Sequence, residues 1–332
     1  MDTLRIGTRG SQLALWQANA VATRLAAAGA PPTRIVVIKT TGDHLQEAPL
    51  SQVGGKRLFV KEIEDALLRD EIDLAVHSSK DMPAILPDGL AIAGVLPRED
   101  PHDVVVLPVR RKPDTTYDQA DDRAPDVVSG FSRTPATIEE LLEIVGQTPR
   151  IGTSSIRRIA QLTRLLPNAR FQPIRGNLDT RLRKLDDGEH DAIVLAAAGL
   201  KRLGHAERMS MTLPASACVP APGQGIVAVE IRETDERVRS LVAAIGDREA
   251  AAALDAERAL VEALGGGCQT PIGALATPAG AELELIAAVV APDGSRAVHA
   301  QLRAPIADAR LLGKAAGVQL LEEGAGEILK AL

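Results

Sequence analysis

Arg5-Ile6-Gly7-Thr8 recurs further along the chain as Arg150-Ile151-Gly152-Thr153. Each copy ends a short apolar strand. Each is followed by serine, Ser11 in the first and Ser154 and Ser155 in the second, and then by a helical pattern, Leu13 to Ala28 and Ile156 to Leu166. Strand, small-residue turn and helix start make the local geometry of an anion site, because free backbone N–H groups and the helix dipole point at the ligand. Two copies predict two related α/β domains, each presenting such a helix start.

Working outward, more units of the same kind follow. Arg34 to Lys39 reads as a strand, Lys61 to Arg69 as a helix, and Ile72 to His77 as a strand ending in Ser78-Ser79-Lys80-Asp81-Met82-Pro83. Leu178 to Leu185 reads as a helix before the strand Asp191 to Ala196. This alternation predicts mostly parallel sheets covered on both faces. Ligands of such sheets bind beyond the carboxyl ends of the strands, where Thr8, Ser78 to Asp81 and Thr153 to Ser155 fall. Arg110 to Pro135 breaks the rhythm, with three prolines and ten charged residues among 26, and reads as a mobile surface insertion. Pro220-Ala221-Pro222-Gly223-Gln224-Gly225 reads as a crossover between domains, and a third unit, with an alternating strand from Leu283 to Val290, begins near Glu249.

The domain expectation is 1–101 with 226–244 for a discontinuous first α/β domain, 104–220 for the second, with the insertion 110–135, and 248–332 for a smaller α+β domain. A hydrophobic content of 45% fills several cores, and an aromatic share of 2% leaves Leu, Val, Ile and Ala to fill them. Met1 to Gly7 has no apolar h-region and no stretch approaches the ~20 apolar residues that span a bilayer, so a cytoplasmic protein off the membrane is expected. The two cysteines, Cys218 and Cys268, make neither a metal-ligand spacing nor a disulfide framework, so no metal is expected.

A net charge of −6 weighs against a general nucleic-acid binder. Against it, Arg150 to Lys184 holds nine basic residues and a single acid, Asp179. Arg157 and Arg158 stand in the first turn after Ser155, the end of a helix that disfavours cations. That placement makes sense if an anion lies between them and the helix. Arg175 and Arg181 flank Gly176-Asn177 in another strand-to-helix turn. Arginine pairs bidentately with carboxylate or phosphate, so the ligand should carry several negative groups. Asp81 is the acidic counterpoint: a helix cap or partner of Lys80 on one reading, a carboxylate facing a developing cation or moving a proton on the other. His77 beside Ser78 does not make a hydrolase pair, since adjacent strand residues point to opposite faces.

Leu264-Gly265-Gly266-Gly267-Cys268-Gln269-Thr270-Pro271-Ile272-Gly273 places a thiol on a bare loop after an amphipathic helix, Ala251 to Leu264, that its glycines end. A packing cysteine sits among large apolar neighbours; one on a bare loop is placed to carry something covalently.

Taken together, these residues resemble the hydroxymethylbilane synthase, or porphobilinogen deaminase, family over nearly the whole chain. The resemblance is carried by Thr8-Arg9-Gly10-Ser11-Gln12-Leu13-Ala14-Leu15-Trp16-Gln17, Val76-His77-Ser78-Ser79-Lys80-Asp81-Met82-Pro83, Gly152-Thr153-Ser154-Ser155-Ile156-Arg157-Arg158, Arg175-Gly176-Asn177, Pro222-Gly223-Gln224-Gly225 and Gly266 to Gly273. It implies two type II periplasmic-binding-protein-like domains and a smaller C-terminal domain. It implies a dipyrromethane cofactor held by a thioether to Cys268, and four porphobilinogen molecules added in turn to that primer, released by hydrolysis as hydroxymethylbilane. Asp81 would be catalytic, stabilising the cationic azafulvene left by loss of ammonia. Lys80, Ser78, Ser155, Arg157, Arg158, Thr153 and Asn177 would hold the cofactor. Arg9, Ser11, Gln17, Arg175, Arg181, Lys56 and Arg202 would bind substrate, Arg202 being equally readable as a cation at a helix C-terminus. The family also implies a monomer.

The chain departs from the family pattern at Gln52, where a lysine is common, at Arg57 in place of a glycine, at His102 in place of an arginine, and in the Arg110–Pro135 insertion. Two other readings stay open. A non-catalytic carboxylate-binding protein would explain the echo and the arginines, but not Cys268 or Asp81. A nucleic-acid module on Arg150 to Lys184 would want the stacking aromatics that this stretch, apart from Phe171, lacks.

Overall fold

The computed structural model describes residues 3–40, 60–109, 135–267 and 270–332, and in them the chain alternates strand and helix. The first stretch gives β1 (Leu4–Thr8), α1 (Gln12–Ala27), β2 (Thr33–Val37), α2 (Lys61–Leu68), β3 (Leu74–Ser78) and β4 (Leu90–Val95). Next come β5 (Asp103–Val106), α3 (Ile138–Val145), β6 (Arg150–Gly152), α4 (Ile156–Leu165), β7 (Arg170–Gln172), α5 (Leu178–Asp186), β8 (Ala192–Ala196), α6 (Ala197–Arg202) and β9 (Met211–Leu213). β10 (Val227–Arg232), α7 (Glu236–Ala243), α8 (Arg248–Ala263), β11 (Ile272–Ala279), β12 (Glu282–Val290), β13 (Ala297–Pro305), α9 (Ala309–Glu322) and α10 (Ala325–Lys330) follow.

The strands form two five-stranded sheets of matching order, β2-β1-β3-β10-β4 and β7-β6-β8-β5-β9, and a third sheet, β11-β12-β13. Sheet one is covered by α1, whose Ala18, Val21 and Leu25 pack with Leu4, Ile6, Leu74 and Val76, and by α2, whose Ile63 and Leu67 pack with Ile72, Ala75 and Leu90. Sheet two is covered in the same way, by Leu182 and Leu185 of α5 on one face and by Leu141 and Leu162 of α3 and α4 on the other. These are two type II α/β halves with a smaller α+β unit, in which α8 and α9 pack on Leu283, Leu285, Ala287 and Val289 of β12.

Each large sheet carries one strand against the parallel grain, β10 beside β3 and β5 beside β8, which the alternation of strands and helices did not announce. The reason is connectivity. Residues 96–102 take the chain from sheet one to sheet two, residues 214–226 bring it back, and β5 and β10 enter each sheet from a crossing segment. The two segments are bonded to each other: Glu99 N donates to Gly225 O at 3.0 Å, Arg98 Nε to Gln224 O at 2.9 Å and Gln224 Nε2 to Pro101 O at 2.6 Å.

The sequence echo marks one corner built twice. The Arg5 backbone N–H and Nη2 each bond the Asp73 carboxylate at 2.7 Å, and Arg150 does the same to Asp191 at the same two distances. Each guanidinium also reaches a carbonyl at a left-handed turn, Arg5 Nη1 that of Asp70 (φ 56°) and Arg150 Nη2 that of Gly188 (φ 82°). The glycine of the echo is steric: a Cβ on Gly7 would lie 2.2 Å from Ile72 Cδ1, and one on Gly152 2.8 Å from Ile193 Cγ2.

Candidate active site

Three helix starts frame the space beyond the strand ends. The Ser11, Ser155 and Asn177 side chains each accept a backbone N–H three residues on, from Ala14, Arg158 and Thr180, and so cap α1, α4 and α5. Thr153 is buried, and its Oγ1 accepts the Ser155 N–H at 3.3 Å. Ser155, Thr153 and Asn177 thus shape the turns at which the sequence expects the cofactor.

From sheet one, β3 runs into a single 3-10 turn, Ser79–Asp81, that presents Lys80 and Asp81. Gln17 and Ser78 hold each other by side-chain hydrogen bonds at 2.8 and 3.2 Å, while His77 bonds Glu230 on β10. Strand alternation separates Ser78 from His77, as expected. Arg9, Ser11, Gln17, His77, Ser78 and Asp81 line one pocket. The turn is pressed against the second crossing segment: a Cβ on Gly223 would lie 2.6 Å from Ser79 Oγ.

Sheet two supplies cations. Burial in company with Arg158 and Arg175 pushes the Arg181 guanidinium down to about 10, with Asp81 opposing. The Lys80 ammonium is pushed down to about 8 by burial, with Arg158 and Arg157 adding to the effect and Asp81 and Asp103 opposing it. Lys80, Arg157, Arg158 and Arg181 therefore share a poorly solvated region with two carboxylates, Asp81 and Asp103, and positive charge is in excess there.

The anion expected between Arg157, Arg158 and the helix start is supplied by the protein itself. Asp103, fully buried at the first position of β5, lies 2.7 Å from Arg157 Nη1 and 2.7 Å from Arg158 Nη2, and accepts Gln224 Nε2 at 2.9 Å. Burial alone would raise its carboxyl; the two guanidiniums outweigh that and hold it well below the usual carboxylate range. One carboxylate against two buried guanidiniums leaves a positive remainder. Arg157 Nε has no hydrogen-bond partner among the described residues, and Arg158 uses three of its five N–H donors on Asp103 and Val194 O.

Arg202 stands elsewhere. It donates to Gly225 O at 2.6 Å and lies 5.5 Å from the Trp16 ring centroid, so its guanidinium bridges α6, the crossing segment and α1. Burial pushes it down to about 10, with Glu99 and Arg24 as its charged neighbours. Arg202, which the sequence reads equally as a substrate ligand or as a cation at a helix C-terminus, spends Nη2 on the crossing segment. His102 bonds Asp100 through both its backbone N–H and Nδ1.

Cys268 and Lys56, with Gln52, Arg57 and residues 110–134 of the insertion, lie outside the described residues. The residues flanking Cys268 close on each other: Thr270 donates to Gly267 O through its N–H at 3.0 Å and its hydroxyl at 2.6 Å. The other thiol, Cys218, is fully buried, and burial beside Asp103 pushes it up to about 12. It is a poor nucleophile.

The duplicated corner can be compared at the Ser79–Asp81 turn. With Asp73 matched to Asp191, Ser78-Ser79-Lys80-Asp81 matches Ala196-Ala197-Ala198-Gly199. In the second half the strand runs instead into helix α6 (Ala197–Arg202), so the single 3-10 turn that presents Lys80 and Asp81 is particular to sheet one.

Residues 4–240 match the model of the porphobilinogen deaminase dipyromethane cofactor binding domain, and residues 251–322 match the porphobilinogen deaminase C-terminal domain. The chain belongs to the porphobilinogen deaminase family. Porphobilinogen deaminases of Syntrophotalea carbinolica and Syntrophobacter fumaroxidans are 44% and 43% identical to it, over 100% and 99% of this chain and 96% and 97% of theirs. That of Chromobacterium violaceum is 43% identical over 100% of this chain and 98% of its own. Among solved structures, Immunogenic lipoprotein A from Vibrio vulnificus aligns with a TM-score of 0.40 at 12% identity, covering 76% of this chain and 99% of its own.

As a member of the porphobilinogen deaminase family the chain uses dipyrromethane. The donor set suits that group: its acidic side chains answer the positive excess around Lys80 and Arg158. Among the described residues no His, Cys, Asp or Glu cluster is arranged to hold a metal ion, and no helix is long and apolar enough to cross a membrane.

Sequence reading missed Asp103, Gln224 and Glu257. Glu257 is fully buried on α8 and accepts Arg98 Nη1 at 2.6 Å, Ala276 N at 2.8 Å and Gly223 N, tying both crossing segments to β11. A signal existed: Glu257 falls between Ala253, Leu260 and Leu264 on the inward stripe of the helix. Asp103 gave only a faint one, an acid opening a run of valines.

Proposed function

We propose that Asp81 and the basic residues facing it perform, in this chain, the deaminative condensation characteristic of its family. The chain is a transferase of tetrapyrrole biosynthesis: it joins four porphobilinogen molecules head to tail, releases ammonia with each, and yields hydroxymethylbilane. Dipyrromethane, when bound, supplies the pyrrole carbon to which the first unit is joined.

Cys268 would hold that group by a thioether, with Lys80 and Arg158 taking its carboxylates. Arg157 would contribute through its unpartnered Nε, and Ser78, Thr153, Ser155 and Asn177 by shaping the turns around it. Arg9, Arg175 and Arg181 would neutralise the acetate and propionate of incoming substrate, Ser11 would add a hydrogen-bond donor, and Gln17 would keep the Ser78 hydroxyl oriented. Lys56 would add a further cation. Asp81 would lie against the substrate cation left as ammonia departs, and would then take the proton released when the new C–C bond forms. We take the enzyme to work as a cytoplasmic monomer without a nucleic-acid partner.

The observation that carries this reading is Asp81 in an enclosed region of excess positive charge, at a position where the duplicated half has glycine. The non-catalytic carboxylate-binding reading is not favoured, since simple carboxylate capture gains nothing from an aspartate there. The test is Asp81→Asn, followed by ammonia released per porphobilinogen consumed. A fall of at least about 100-fold in a folded protein is expected; turnover within about threefold of wild type would remove Asp81 from the chemistry.

A further inference from the structure

One buried polar pair close to this site has no part in the account so far. His77 Nε2 lies 3.0 Å from Glu230 Oε2, with side-chain exposures of 3% and 0%. Glu230 Oε1 has no hydrogen-bond partner among the described residues. Burying two ionisable groups costs free energy unless their pairing is good, and replacing such a pair by apolar residues is often neutral or stabilising.

The duplicated half performs that replacement. His77 lies opposite Ala228 and Glu230 opposite Ala75 in sheet one. In sheet two the matching positions are Leu195, opposite Val104, and Val106, opposite Ile193. Leu195 and Val106 are buried in one apolar cluster. The fold therefore closes at this register without a polar pair, and its presence in sheet one calls for a reason other than packing.

Location supplies the reason. His77 lines the same pocket as Asp81, Arg9, Ser11 and Ser78, and its Nδ1 is the ring nitrogen that Glu230 does not engage. We propose that His77 and Glu230 form a proton relay at the pocket wall that clears Asp81 between successive condensations. The proposal rests on the deaminase reading above. In each condensation the substrate C–N bond breaks and its electron pair leaves on ammonia; a C–C bond forms, and the attacking pyrrole carbon gives up one proton. Asp81 takes that proton and has to lose it before the next unit arrives. His77 accepts it as an imidazolium beside the Glu230 carboxylate and passes it to solvent, where the released ammonia binds it. Of the helix packed on β3 and β10, α2, Glu64 is fully buried with Glu62 near it in the same helix; the charged groups that line the pocket with His77 are Arg9 and Asp81.

His77→Gln and the double variant His77→Leu/Glu230→Val, which copies the pair in the other sheet, test the relay. Both are compared with wild type after intact mass confirms the covalent primer and urea unfolding confirms the fold. The relay predicts a kcat lowered about tenfold or more in both, KM within about twofold, and a rate in His77→Gln that rises with the concentration of a small buffer base. A folded double variant as active as wild type, or a His77→Gln enzyme with an unchanged pH profile and no response to buffer, would overturn it. Wild-type enzyme that releases no ammonia would instead strike at the deaminase reading itself.

Discussion

Asp103→Asn changes one oxygen into an amide and leaves two buried guanidiniums with no carboxylate. In the native protein Asp103 Oδ1 accepts Arg158 Nε at 3.0 Å, Arg158 Nη2 at 2.7 Å and Gln224 Nε2 at 2.9 Å, while Oδ2 pairs with Arg157 at 2.7 Å. Asparagine keeps one acceptor oxygen, so the geometry at Oδ1 survives, but its NH2 then points at Arg157. Breaking a buried ion pair from one side costs about 3–5 kcal/mol, most of it the stranded charge. The retained acceptor places this variant near the lower end, at about 3 kcal/mol. Equilibrium urea unfolding at pH 7 reads it directly. The sign of the pH dependence follows from the depressed Asp103 carboxyl. Its contribution is fully present above the unfolded value near 4 and is lost as pH falls through the lower folded value. Wild type should thus lose stability on acidification more steeply than the variant. Adding Arg157→Met to Asp103→Asn should recover part of the loss, since it removes one stranded cation. A single-variant loss below about 1 kcal/mol would refute the reasoning, because it would mean that the two arginines do not depend on Asp103.

Lys80 gives a prediction of opposite sense. Its folded value of about 8 lies below its ordinary 10.5, so the charged form is disfavoured by folding; that cost is fully present below pH 8 and disappears as pH rises toward 10.5. Lys80→Met should therefore be more stable than wild type at pH 7 in protein without cofactor, with the gain shrinking by pH 10; urea midpoints at the two values check it, and a less stable variant at pH 7 would contradict it. Arg202→Leu should alter the emission of the chain's single tryptophan, Trp16, which loses its cation–π contact, and should cost about 0.5–1 kcal/mol for that contact. Unchanged fluorescence would mean that the bridge between α6 and α1 is not held in solution.

Much of the fold was legible because its information is local. The echo at Arg5 and Arg150 marks the same corner twice, and element bounds read from periodicity fall close to those observed: Leu13 to Ala28 against Gln12–Ala27, and Leu283 to Val290 against Glu282–Val290. The strand read as Ile72 to His77 runs Leu74–Ser78, since Ile72 packs under Gly7 and Asp73 is taken by Arg5. What periodicity could not show is pairing across the chain. β10 joins β3 from almost half a sequence away, and no residue of Val227–Arg232 announces that it runs against its neighbour. The same limit governed the site. Serine at a helix start and arginine in a turn are local signals, and they led to Ser11, Ser155, Arg157 and Arg158. Their internal counterion, Asp103, arrives from another strand, so the carboxylate that shares these two arginines gave no local signal beside them. The partners of Arg202, Trp16 and Gly225, were hidden for the same reason: they come from other segments of the chain.

The central claim is that a covalent primer sits on Cys268 and not on Cys218. Intact mass of the purified enzyme after incubation with porphobilinogen tests it, run beside Cys268→Ser and Cys218→Ser. The account predicts a mass excess of two linked pyrrole units in wild type and in Cys218→Ser, and a bare polypeptide in Cys268→Ser. An adduct retained in Cys268→Ser, or lost only in Cys218→Ser, would contradict it.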